Sequence, residues 1–234
     1  MYKVENLSFK YKKSKQNTLS NISFSLTNGK LNVLVGENGA GKTTIMDCIA
    51  GINKTIYDNV LPEQQSIVYM TQNMFLSPNC VGKDVINLIK GMSSKTEGRY
   101  FDKKITEQLE TKELEKLEHL TQMTIGKMSE GEKKWLYITL LSALDRKLYL
   151  FDEPTSGIDP LSRKLIIKRL KIIAEEKVVL ISSHQLQDLY NSDSKIIFIN
   201  KGKKIYDNDI ETWLNDMGTQ DIDEAFEETI NKVF

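Results

Sequence analysis

Two cysteines, four prolines and four arginines are all that the 234 residues provide, and these scarcities close off several classes of protein. Cys48 and Cys80 have no metal-ligand spacing and are too few for a disulfide scaffold. Thirty-two basic residues balance thirty-two acidic ones, so the net charge is zero, which argues against a surface built to track nucleic acid. Long apolar runs are also missing. Runs such as Val33 to Val35 with nearby Leu31, Val178 to Ile181 and Ile196 to Ile199 fall far short of the ~20 residues that cross a bilayer. Met1 to Phe9 alternates charged, polar and apolar residues and carries no apolar signal core. The expectation is a soluble, intracellular chain; if it works at a membrane, something else spans it. What is present is an ordinary globular balance, 40% hydrophobic and 27% charged, which excludes wholesale disorder.

Periodicity organises the chain. Lys3 to Phe9 and Ile22 to Leu26 alternate as two half-exposed, antiparallel strands. Leu31 to Val35 is a continuous apolar strand of the buried parallel type. Ser66 to Met70, Leu148 to Phe151 and Val178 to Ser182 are further strands, and Ile196 to Asn200 with Lys203 to Tyr206 reads as a hairpin about Gly202. Helical spacing marks Asp84 to Ile89, Lys103 to Leu120, Glu130 to Leu144 and Leu161 to Ala174, and Ile210 to Phe234 reads as two amphipathic helices. The fold class is therefore α/β: a core with a mainly parallel sheet, an N-terminal antiparallel β subdomain and an inserted helical subdomain. The expected boundaries are 1–72 and 129–206 for the core, 73–128 for the helical insertion and 207–234 for a C-terminal helical tail, all in one domain.

The strongest motif follows the third strand: Gly36-Glu37-Asn38-Gly39-Ala40-Gly41-Lys42-Thr43-Thr44, with Ile45, Met46 and Ile49 continuing at helical spacing. Glycine, four residues, then Gly-Lys-Thr is the spacing of a phosphate-binding loop. Its glycines let successive N–H groups converge on phosphate oxygens, and the helix that follows adds a favourable dipole. Lys42 is expected to reach the β/γ-phosphates and Thr43 to complete a Mg²⁺ shell. A second signal lies at Asp152 and Glu153, delivered to the end of the apolar strand Leu148 to Phe151. Asp152 suits the outer shell of Mg²⁺, and Glu153 suits a general base for an attacking water.

With these in place the chain resembles the nucleotide-binding cassette of ABC ATPases from Met1 to about Ile205. Met128-Ser129-Glu130-Gly131-Glu132 looks like the family's signature loop, Phe151 to Thr155 like its Walker B strand with the trailing glutamate, and Ser156-Gly157-Ile158-Asp159 like its D-loop. Ser182-Ser183-His184 is similar to its switch histidine, Gln72 falls where the Q-loop glutamine belongs, and Tyr11 matches the aromatic that stacks on adenine. The resemblance implies ATP and Mg²⁺ as cofactors, with His184 on the γ-phosphate and Gln72 coordinating the metal. It also implies a head-to-tail pair of cassettes, in which Ser129, Glu130, Gly131, Glu132 and Asp159 face the nucleotide of the partner chain.

One departure stands out. The family pattern has Gly where Glu130 stands and Gln where Glu132 stands, so this is either ordinary variation or a weakened half-site; Glu130 is expected to point away from the nucleotide. The implied function is the ATP-hydrolysing subunit of a transporter whose membrane-spanning permease subunits are separate chains. The cassette would then be cytoplasmic and peripheral, at the inner face of the cell membrane. Met74, Phe75, Leu76 and Val81 would lie near the docking groove for the permease. Asp223-Glu224-Ala225-Phe226 followed by Ile230 is similar to tails of bacterial exporter cassettes, which leans toward export of a drug, peptide or lipid-like substrate. The alternative, a cassette acting on ribosomes or DNA, ranks second because one cassette, few arginines and zero net charge do not suit it.

Overall fold

Alternation of buried and exposed side chains shapes the N-terminal strands β1 (Tyr2–Phe9) and β2 (Leu19–Leu26), which pair antiparallel in the computed structural model. The structure describes residues 1–55, 58–74, 76–184, 186–189 and 193–232. Irregularities on either side of Leu7 twist β1, and Asn6 and Asn21 take positive φ there, a conformation that asparagine tolerates. Further along the chain come β3 (Leu31–Val35), the helix α1 (Lys42–Ile49) and a short exposed strand β4 (Asp58–Val60). The last pairs with β1 and completes a sheet of order β2-β1-β4. Its three residues are all exposed, so no apolar pattern announces it.

Four more segments join β3 in a six-stranded sheet: β5 (Ile67–Met70), β6 (Leu148–Phe151), β7 (Val178–Ser183) and the hairpin β8 (Ser194–Asn200) with β9 (Lys203–Asp209). The order is β5-β6-β7-β3-β8-β9, parallel throughout except for β9. Every residue of β3, β6, β7 and β8 is buried, as strands covered on both faces must be. One face carries Leu34, Leu148, Leu150, Leu180, Ile197 and Ile199, which pack with Leu7, Ile22, Ile45 and Met46. Phe198 lies between Ile197 and Ile199 in sequence, so it points to the opposite face. There its ring meets Phe226 at 5.0 Å and Trp213 at 6.3 Å. These belong to the tail helices α7 (Ile210–Met217) and α8 (Ile222–Asn231). Trp213 is fully buried, and its indole N–H donates to Thr229 at 2.8 Å.

These strands and the tail form one unit (1–72, 147–156 and 171–234); a second, helical unit comprises 73–146 and 157–170. It holds α2 (Gly82–Lys90), α3 (Lys95–Glu107), α4 (Thr111–Gln122), α5 (Glu130–Ser142) and residues 160–170 of α6 (Pro160–Glu176). The helical unit is wider than the 73–128 expected from periodicity, because α5 packs against α2, α3 and α4 and is buried from Lys134 to Leu141.

The single helix expected over Lys103 to Leu120 is two helices, broken at Gln108 to Glu110. Ile105, Leu109 and Leu120 keep helical spacing across the break and stay buried on both sides of it, so apolar periodicity could not reveal it. Polar bonds fix the break. Arg169, 1% exposed, donates to the Gln108 carbonyl at 2.8 Å, to Gln108 Oε1 at 2.6 Å and to Ser142 Oγ at 3.0 Å. Glu113 accepts the Glu110 N–H at 3.0 Å and starts α4 afresh. A capping box starts α3: Ser94 and Glu97 each accept the other's backbone N–H at 3.2 Å.

Candidate active site

Buried β3 delivers the chain into a loop that only glycine can build. A Cβ on Gly36 would stand 2.1 Å from the Ile199 carbonyl oxygen, and φ there is 153°. Gly41 has φ 111° and caps α1 against the Leu19 side chain. Lys42, 5% exposed, donates across the loop to the Gly36 carbonyl at 2.7 Å and the Glu37 carbonyl at 3.0 Å. Burial pushes its ammonium below the usual lysine range, while Glu153 and Asp152 pull in the opposite sense.

Asp152 follows β6 and is 1% exposed. Its two oxygens are both engaged: Thr43 Oγ1 donates to Oδ2 at 2.8 Å, and Ser182 Oγ donates to Oδ1 at 2.5 Å. Glu153 sits next in the chain with φ 46°, a left-handed backbone that costs a side-chain-bearing residue about 1–2 kcal/mol. Its N–H donates to Ser182 Oγ at 2.8 Å. Its carboxylate takes the Gln72 amide N–H at 3.1 Å on Oε2 and lies 3.2 Å from His184 Nδ1 on Oε1. Gln72 comes just after β5 and His184 just after β7, so adjacent strand ends bring residues from three distant segments together.

The result is a cleft of about 500 Å³ lined by Lys42, Thr43, Thr44, Gln72, Glu153 and His184, together with Thr18, Asn38, Gly39, Gly41 and Ser156. Thr18 and Ser156 had no signal as lining residues, although Ser156 belongs to the segment matched as D-loop. Tyr11 stands beside α1, its hydroxyl 3.3 Å from Thr44 Oγ1 and its ring edge-on to Phe9 at 4.8 Å, and it is 43% exposed. Cys48, buried on α1, has its thiol pushed up to about 12 by burial first and Asp47 second, which makes it a core residue rather than a nucleophile.

The helical unit gathers the other predicted residues. Ser129 is the N-cap of α5: its hydroxyl accepts the Glu132 N–H at 3.2 Å, and Glu132 accepts the Ser129 N–H at 2.8 Å. Glu132 thus does the capping that a glutamine would do, with a charge suited to a helix N-terminus. Glu130 points to solvent, 62% exposed, and pairs with Lys133 at 2.7 Å. Asp159 accepts the Leu161 and Ser162 N–H groups at 3.0 Å each, and a Cβ on Gly131 would lie 3.5 Å from its Oδ2. Hydrogen bonds from Ser162 and Leu161 hold the Asp159 carboxyl below its usual range. Met74, Leu76 and Val81 are half-buried, and Phe75 lies outside the described residues.

A glycine loop closed by Lys42, a buried aspartate bonded to Thr43 and a glutamate held between an amide and an imidazole meet at one cleft. The family model described as "ABC transporter" matches residues 19–156, more than half of the chain. The chain belongs to the ABC transporter family. As an ABC protein it is similar to the molybdate/tungstate import ATP-binding protein WtpC of Methanocaldococcus jannaschii, 32% identical over 86% of this chain and 68% of that one. It is also similar to the SkfA peptide export ATP-binding protein SkfE of Bacillus subtilis, 26% identical over 88% of each. A solved ATP-binding subunit of an ABC transporter has the same fold, with a TM-score of 0.82 at 22% identity over 98% of this chain and 99% of that one. This chain is accordingly an ATP-binding subunit of the ABC transporter class, in a family that hydrolyses ATP. Among the described residues no helix is long and apolar enough to cross a membrane.

Proposed function

We propose that this ABC subunit is the ATP-hydrolysing motor of an exporter whose membrane-spanning subunits are separate polypeptides. It would work at the inner face of the cell membrane, as one of two cassettes that close on ATP. The observation that carries the reading is the chain of contacts Thr43–Asp152–Ser182–Glu153, with His184 and Gln72 on the Glu153 carboxylate. It joins the phosphate loop to a base and its two orienting partners.

The residues fit ATP with Mg²⁺. Thr43 and Asp152 present hard oxygen donors at the loop, and among the described residues there is no cluster of three or more His, Cys, Asp or Glu that would hold a metal alone. That suits an ion that takes one or two protein oxygens, substrate phosphates and several waters. When bound, Mg²⁺ neutralises charge on the phosphates. The chain's residues do the rest. Loop N–H groups and Lys42 hold the triphosphate, Glu153 takes the proton of the attacking water, and His184 fixes Glu153 and reaches the γ-phosphate. Gln72 shares that carboxylate and senses the loss of the phosphate. Tyr11 offers a partly exposed ring for the base. Ser129, Gly131 and Asp159 serve the partner's nucleotide, the N-terminus of α5 being a natural anion site.

Export is supported by the likeness to a peptide-export subunit over most of both chains and by the resemblance of Asp223-Glu224-Ala225-Phe226 and Ile230 on α8 to tails of bacterial exporter cassettes; likeness to an import subunit stands against it. The test is affinity purification from membranes followed by reconstitution. The reading requires a co-purifying multi-span protein and vesicles in which a drug or peptide stimulates ATP hydrolysis and moves in the direction of export. Uptake in the opposite direction overturns export alone, whereas recovery with ribosomes and no membrane protein overturns the transporter reading.

A further inference from the structure

β7 lies between β6, which leads to Asp152 and Glu153, and β3, which leads to the phosphate loop. Phe151 pairs with Ile181, and Leu34 pairs with Ser182, so the residue after β6 comes level with Ser182 at the middle strand's end. Ser182 is completely buried, and its one hydroxyl makes two bonds to consecutive residues. It donates to Asp152 Oδ1 at 2.5 Å and accepts the Glu153 N–H at 2.8 Å.

Those two bonds act on different degrees of freedom. The first fixes the rotation of the Asp152 carboxylate, whose other oxygen receives Thr43 at 2.8 Å. The second anchors the amide of Glu153, whose backbone at φ 46° stands where few side-chain-bearing residues do. Because Cβ follows the backbone, that φ determines where the Glu153 carboxylate goes, and it goes between Gln72 and His184. A small hydroxyl is needed for this. Alanine removes both bonds and leaves a buried carboxylate oxygen and a part-buried N–H without that partner.

We propose that Ser182 is a positioning residue for hydrolysis, setting the metal-side aspartate and the base-side glutamate through a single oxygen. The inference rests on the reading of Glu153 as the base. It assigns Ser182 no contact with nucleotide, so its loss should act on turnover and spare binding.

The experiment compares Ser182→Ala and Ser182→Thr with the parent and with Glu153→Gln, using magnesium ATP for turnover and a fluorescent ATP analogue for affinity. Ser182→Ala is expected to lower kcat about 10- to 100-fold, in the range seen when partners that orient a metal ligand are removed, with KM and analogue affinity within about threefold of the parent. Ser182→Thr, which restores the hydroxyl, should bring kcat back to within about threefold. If Ser182→Ala does not fold, Ser182→Cys, close in volume with only a weak donor, takes its place with the same expectation. A kcat for the Ala or Cys variant within about twofold of the parent, alongside an inactive Glu153→Gln, overturns the role of Ser182. Loss of nucleotide affinity equal to the loss of kcat, or failure of threonine to rescue, overturns it too. Normal turnover by Glu153→Gln overturns the underlying reading of the base instead.

Discussion

The imidazole Nδ1 of His184 stands 3.2 Å from Oε1 of Glu153, while the other oxygen of that carboxylate takes the Gln72 amide at 3.1 Å. A carboxylate gripped on both oxygens cannot rotate freely, so its lone pairs point in fixed directions. The base role proposed for Glu153 requires such fixed directions toward one water.

Replacing Glu153 by Gln keeps the shape and removes the proton acceptor. Hydrolysis should fall about 100- to 10,000-fold while nucleotide binding persists. Single-turnover phosphate release and analogue titration check both halves. With magnesium ATP the variant should also accumulate as a closed pair of cassettes in sizing experiments.

Lys42→Ala removes the one side-chain ammonium that lines the cleft among the described residues and should weaken ATP binding about 10- to 100-fold, the value of a charge-assisted contact. Calorimetric titration measures it. Unchanged affinity would remove Lys42 from the phosphate contacts.

Glu130→Gly should leave turnover within about threefold of the parent, since the side chain faces solvent and its pair with Lys133 is a surface one worth at most about 1 kcal/mol. A steady-state assay decides. A large fall would mean that Glu130 makes a contact in the working pair that the single chain does not display.

Glu97 gives a pH signature in the helical unit. Burial pushes its carboxyl upward, but the N–H groups of Asp145 and Ser94 and the Arg146 guanidinium outweigh burial and hold it below its ordinary 4.5. A carboxyl lowered by folding stabilises fully above its unfolded value and loses that contribution as pH falls toward the folded one. Stability of the parent should therefore decline more steeply below pH 4.5 than that of Glu97→Gln, which should be less stable at neutral pH. Urea unfolding followed by helical ellipticity across that range tests the difference.

The motif and the core strands were legible because local chemistry writes them. Gly36 to Thr44 needs its glycines wherever it occurs, and an apolar run ending in Asp152-Glu153 marks a buried strand that surfaces at a site. What escaped depends on meetings between distant segments. Ser182 looks like the polar end of β7 until Asp152 and Glu153 are seen on its hydroxyl. The break between α3 and α4 is hidden because Arg169, some sixty residues away, holds it. The local partners of the acidic pair Glu130 and Glu132 are likewise not legible in the sequence. Capping by Glu132 and the Lys133 pairing of Glu130 give both carboxylates local employment.

The strand that presents the phosphate loop, β3, has β7 and β8 as its neighbours, and both are made long after it. On the ribosome, then, the loop emerges early on a strand with no sheet to belong to, and stays unformed until most of the chain has been translated. Prematurely ended products would lack an organised cradle for ATP.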